Sequence, residues 1–174
     1  MLTLSRPATD EYAPGFADYV AEIGDGEDIV ATLASQLQQV ATRLGAVPAT
    51  RGDYRYAPGK WSLKEVIGHL SDTERVFAYR ALSIARGDPA PLPAFDDQAW
   101  VAQMGAGYRT LADIVEEFGI VRRASLALFR HLPAAAWTRR GIASGHPASV
   151  RAMAWVVAGH ARHHLEVVQA RYLG

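Results

Sequence analysis

No cysteine occurs among the 174 residues, and that one absence removes disulfide scaffolding, thiolate metal ligation and a cysteine nucleophile together. Any metal held by this chain is held by nitrogen or oxygen. Net charge is lacking as well: 18 basic residues balance 18 acidic ones. No broad attraction to polyphosphate is built in, and nucleic acid is not an expected partner. Long apolar runs are missing too, since stretches such as Ala152 to Ala158 fall far short of the ~20 residues of a membrane-spanning helix. Met1 to Pro7 show neither the basic start nor the apolar stretch of a secretory signal, so the expectation is a cytoplasmic protein without a membrane partner. Nor is there a phosphate-cradling glycine motif or a serine in a nucleophile elbow.

What is present is the composition of a globular domain, 49% hydrophobic and 21% charged, at a length that suits one domain and buries roughly two thirds of the unfolded chain's surface. Four stretches carry helical periodicity and none a sustained alternation, so the fold reads all-α. The first helix is expected over 28–44, with Ile29, Val30, Leu33, Leu37, Val40, Ala41 and Leu44 as its apolar stripe and Gly45 to end it. The second starts after Ser62, whose partner in a capping box is Glu65, and runs to Arg86, where Gly87-Asp88-Pro89 stops it. The third spans 110–131 and the fourth 149–172. Between the second and third lie about 22 residues with Pro89, Pro91 and Pro93, far more than a tight helical hairpin requires. At up to ~3.3 Å per residue such a crossover spans a ~33 Å helix, with slack for a short helix near 95–104, and lets helices two and three run parallel. Residues 1–27, with Pro7 and Pro14, read as an arm holding one short helix at 16–23, and 28–174 as the bundle domain.

Three of the six histidines cluster in Gly159-His160-Ala161-Arg162-His163-His164. The stripe Met153, Val156, Val157 continues through His160 and His164 to Val167 and Val168, because residues four apart share a helix face. A lone inward histidine is usually a satisfied core residue. Two imidazoles side by side must each find a donor or acceptor, and one divalent cation satisfies both. His163 falls to the side of the stripe. His69 is the third candidate, at the edge of the second helix's stripe with Val66, Thr73 and Val76. It sits ~10 Å from the start of its helix, while the His160/His164 pair is centred ~14 Å before the end of the fourth. If those helices are antiparallel neighbours the three meet at nearly one level; if parallel, they are offset by roughly 9 Å.

The string Pro58-Gly59-Lys60-Trp61-Ser62-Leu63-Lys64-Glu65-Val66-Ile67-Gly68-His69-Leu70-Ser71-Asp72, followed by Gly159-His160-Ala161-Arg162-His163-His164, resembles the DinB-like superfamily, in particular its YfiT-like metal-dependent hydrolases. The likeness runs over about residues 28 to 173. It implies a four-helix bundle of up-down-down-up type and a metal triad of one histidine from the second helix and two from the fourth, matched by His69, His160 and His164. It also implies nickel, zinc or a similar divalent ion, frequent homodimers, and chemistry divided between hydrolysis and transfer of low-molecular-weight thiols.

Three neutral imidazoles leave coordination positions open, as in catalytic rather than closed structural sites. Among groups that would act beside the ion, Asp72 is a candidate base or orienting carboxylate three residues after His69. Glu166 and Arg80 are expected to be exposed charges. His131 and His146 receive no role, and Trp61 and Trp155 read as structural anchors. Two functions remain: a metalloenzyme acting on a small molecule, with a thiol as one possible co-substrate, and a non-catalytic metal-binding or stress-related module.

Overall fold

The computed structural model describes residues 4–174. In chain order its helices are α1 (Ala17–Ala21), α2 (Ile29–Gly45), α3 (Leu63–Arg86), α4 (Asp97–Gln103), α5 (Leu111–Arg130) and α6 (Val150–Val168), the last continuing as a π turn over Gln169–Leu173. The caps are those the side chains dictate. Asp28 accepts from the N–H groups of Val30 and Ala31, Ser62 and Glu65 close a capping box, Thr110 and Asp113 close another, and Ser149 accepts from Ala152 N–H. Each satisfies donors that the first helical turn leaves orphaned. Gly87 ends α3 in the left-handed region, at φ 79°, where a Cβ would be strained.

α2, α3, α5 and α6 form the four-helix bundle. α3 packs against α5 and α6, and α2 packs against the same two, so helices joined directly in sequence lie across the diagonal. Contacts fix the directions. Lys64 reaches the Arg109 carbonyl and Arg75 the Glu117 carboxylate, which makes α3 and α5 parallel. His69 meets His160 while Thr73 and Glu74 border the same small cavity as Val157, which makes α3 and α6 antiparallel. The 87–110 crossover therefore returns the chain along the bundle, as its length requires.

The core divides into two apolar halves. One gathers Ile29, Leu33, Phe77, Phe129 and Trp155; the other Val40, Leu44, Leu63, Phe118 and Leu165. Between them runs a polar layer. Arg122 on α5, fully buried, binds both Glu74 oxygens from Nε at 2.8 and 2.9 Å, and donates from Nη1 to Gln36 and to the Leu33 carbonyl. Gln36 in turn donates to the Ala158 carbonyl.

Among residues expected as an arm, Tyr12, Val20 and Ile23 are buried in the first core half. α1 lies on α6 so closely that a Cβ at Gly159 would overlap the carbonyl oxygen of Tyr19. Glu11, also buried, accepts from Arg151 and Ser149. One pair of strands is present that the periodicity does not signal: β1 (Arg140–Ala143) and β2 (His146–Ser149) form an antiparallel hairpin. Four-residue strands holding Gly141 and Pro147 are too short to show alternation. The turn Ser144-Gly145, at φ 54° and 79°, is the local trace, since a two-residue hairpin turn of this hand needs positive φ at both positions.

Candidate metal centre

His69 projects from α3 and His160 and His164 from α6, one turn apart. The structure brings one ring nitrogen of each within 4.8 Å of the others, with His69 and His160 buried and His164 half-buried. The Nε2 atoms of His69 and His160 stand 2.9 Å apart. Thr73, the next residue along the His69 face, places its hydroxyl 3.4 Å from His69 Nδ1. Trp61, at the start of α3, lies against the His69 ring with centroids 4.7 Å apart, and Tyr19 of α1 meets His160 edge-on at 5.1 Å.

Electrostatics keep the cluster neutral. Burial holds His69 down at about 4, opposed only by the charge of Asp97. Burial, then the neighbouring His69 and His163, holds His164 at about 3. His160 is lowered well below the ordinary imidazole value by burial first and by His164 and His69 next. All three are thus unprotonated lone-pair donors near neutral pH, the form that binds metal. The spacing suits an ion as well: the ring nitrogens of His69 and His160, 2.9 Å apart, are close enough to share one ion at the ~2.0–2.1 Å of a metal–imidazole bond. The residues present therefore fit a divalent cation.

His164 and His163 line a cleft of about 400 Å³ together with Tyr56, Lys60, Trp61 and Gln98. Lys60 is exposed and makes no ion pair among the described residues. Asp72 is placed otherwise. Its carboxylate pairs with Arg75 at 3.1 Å, and burial raises its pKa. It hydrogen-bonds none of the three imidazoles. Glu166 is exposed as expected, whereas Arg80 is buried because its guanidinium is tied to the crossover and the hairpin. His131 and His146 are exposed and do not belong to the cluster, and Trp155 is a buried core residue.

Sequence reasoning missed Tyr19, Asp97 and Gln98. The first belongs to the segment before the bundle and the other two to the crossover, and neither segment carries a periodicity that would orient a side chain. Trp61 was legible only as an anchor, yet it packs on a site histidine.

An all-α bundle whose second and fourth long helices converge three neutral imidazoles on one point defines the class to which this protein belongs. The chain is a member of the DinB superfamily, whose family model matches residues 32–168. Its fold is similar to that of YfiT from Bacillus subtilis, a probable metal-dependent hydrolase with an unusual four-helix bundle topology. The TM-score is 0.72 and the identity 15%, over 82% of this chain and 85% of that one. It is also similar to the mycothiol-dependent maleylpyruvate isomerase, with TM-score 0.66 and 10% identity over 79% of this chain; that protein is longer, and the match spans 58% of it. No curated protein sequence matches the chain.

Proposed function

We propose that the protein is a metalloenzyme in which His69, His160 and His164 hold one divalent ion, nickel or zinc, to activate water or a low-molecular-weight thiol for hydrolysis or thiol transfer on a small molecule. The observation that carries this reading is the convergence of three neutral ring nitrogens within 4.8 Å, one of them on the wall of an open cleft. A divalent ion bound there supplies Lewis acidity and lowers the pKa of a water or thiol that reaches its open face.

The rest is work for the chain's own side chains. Thr73 fixes the ring of His69 through Nδ1, leaving Nε2 for the ligand role. Trp61 and Tyr19 wall off the imidazoles from bulk water on two sides. Lys60, free of carboxylate partners, attracts an anionic small molecule into the cleft. Two carboxylates are candidates for proton transfer. Asp72 lies one turn beyond His69 with a raised pKa, and Asp97 lies near enough for its charge to act on His69 and on Tyr19. The similarity to YfiT and to a thiol-dependent isomerase supports both chemistries and, on the family resemblance, a cytoplasmic homodimer. Among the described residues no helix is long and apolar enough to cross a membrane.

Elemental analysis of the purified protein, followed by turnover assays across low-molecular-weight thiols and electrophiles, tests the proposal. One equivalent of nickel or zinc and turnover that disappears with a chelator are expected. Wild type holding no more metal than His160→Ala would overturn the site. Full occupancy with no turnover on any thiol, ester or amide would leave a binding module instead of an enzyme.

A further inference from the structure

Away from the imidazole cluster, a second cavity of about 410 Å³ lies between α3 and the crossover, within the ~300–1,000 Å³ range of small-molecule sites. Val76 of α3 and Leu92, Phe95 and Trp100 of the crossover give it a largely apolar wall, to which Asp72 and Arg75 of α3 also contribute. At its edge is Arg80, whose residue surface is only 2% exposed. Three cations are buried among the described residues, and two have a carboxylate: Lys64 pairs with Asp53 at 2.6 Å and Arg122 with Glu74 at 2.8 Å. Arg80 has none. Its Nη2 donates to the Pro93 carbonyl at 2.7 Å and to Ser144 Oγ at 2.8 Å; among the described residues its Nε and Nη1 make no hydrogen bond, and the residue lines the cavity.

A buried charge without a counter-ion is costly. The faces of Phe77 and Phe95, 5.0 and 5.6 Å from the guanidinium carbon, offset part of that cost. Arg80 is also held below the ordinary arginine pKa by burial, whereas Arg55, Arg140, Arg151 and Arg162 are all raised by carboxylate partners. The other charges on the wall cancel, because Arg75 is bonded to Asp72 and also to Glu117. One positive charge is therefore left facing an apolar space.

We propose that this cavity binds a small apolar molecule bearing a single carboxylate, with Arg80 as the counter-ion and Phe95 and Trp100 packing on its hydrocarbon body. A monoanion matches the one uncompensated charge; a phosphate dianion would leave an unpaired negative charge in an apolar cavity, close to Asp72. The cavity shares no lining residue with the cleft beside the imidazoles.

The test titrates hydrocinnamate and its neutral analogue hydrocinnamyl alcohol into the purified protein, read by tryptophan fluorescence, in which Trp100 is the reporter on the cavity wall. Saturable binding of the carboxylate at least about tenfold tighter than the alcohol is expected, the gain of roughly one charge-assisted hydrogen bond. Arg80→Gln removes that preference while leaving the alcohol's affinity within about twofold. If that variant does not fold as wild type by circular dichroism, the carboxylate-to-alcohol ratio on wild type decides alone. The assignment is overturned if the carboxylate does not saturate, or if the alcohol binds as tightly. It is overturned too if the signal is lost in His164→Ala, which would put the carboxylate at the imidazole cluster; retention in that variant supports a separate site.

Discussion

At the scale of single residues, the three histidines divide by where the helix points them. His160 and His164 continue the inward stripe of α6, while His163 turns toward Tyr19, its ring 5.6 Å away, and the cleft wall. His160→Ala and His164→Ala are therefore expected to reduce bound metal to a small fraction of an equivalent, and His163→Ala to leave about one equivalent, by elemental analysis after gel filtration. Full occupancy in His164→Ala would refute the ligand set. Thr73→Val tests the hydrogen bond that orients His69. It should weaken metal affinity by about 10–100-fold with little change in fold, the usual effect of removing a group that orients a metal ligand. An unchanged affinity in a chelator competition would show that packing against Trp61 alone holds the ring.

Between elements, two contacts decide how the helices sit. α1 approaches α6 over Gly159, where the Tyr19 carbonyl fills the space a Cβ would take. Gly159→Ala must push α1 outward, since the obstacle is backbone and cannot rotate away. A loss of about 1–3 kcal/mol is expected from the overpacking, seen as a lower thermal midpoint. Loosening of Tyr19 over His160 should accompany it, seen as faster metal exchange. The second contact is the polar layer joining α2, α3 and α5. Glu74→Ala leaves the Arg122 guanidinium buried without its carboxylate, and denaturant unfolding should report a loss of about 3–5 kcal/mol. Replacing both residues by apolar side chains of similar volume should cost much less, because no orphaned charge then remains. Equal losses in the single and double variants would show that the layer stabilises by packing and not by charge pairing.

For the whole molecule, the buried histidines set the response to acid. Folded His69 and His164 titrate at about 4 and about 3, below the ~6.5 of an exposed imidazole. Over that interval the unfolded chain binds more protons than the folded one. Their contribution to stability is therefore complete above pH ~6.5 and is lost as pH falls toward those folded values. Glu11 and Glu27, held near 2 largely by Arg151 and Arg162 against the opposing effect of burial, add a second loss that begins only below the ~4.3 of an ordinary glutamate. Metal-free protein should thus show its thermal midpoint falling already between about pH 6.5 and 5, above the range in which Glu11 and Glu27 contribute their loss; a midpoint flat across that range would contradict neutral buried imidazoles. The four long helices were readable in the chain because each carries its own stripe, cap and stop, all local properties of consecutive residues. The His160/His164 pair was readable for the same reason, and the crossover because a segment of that length has few other uses. Pairing across the diagonal, the burial of Arg80, the hairpin and the approach of Tyr19, Asp97 and Gln98 to the cluster came only with the tertiary structure. They depend on residues far apart in sequence meeting in space, and no local periodicity records which segments a packed core will bring together.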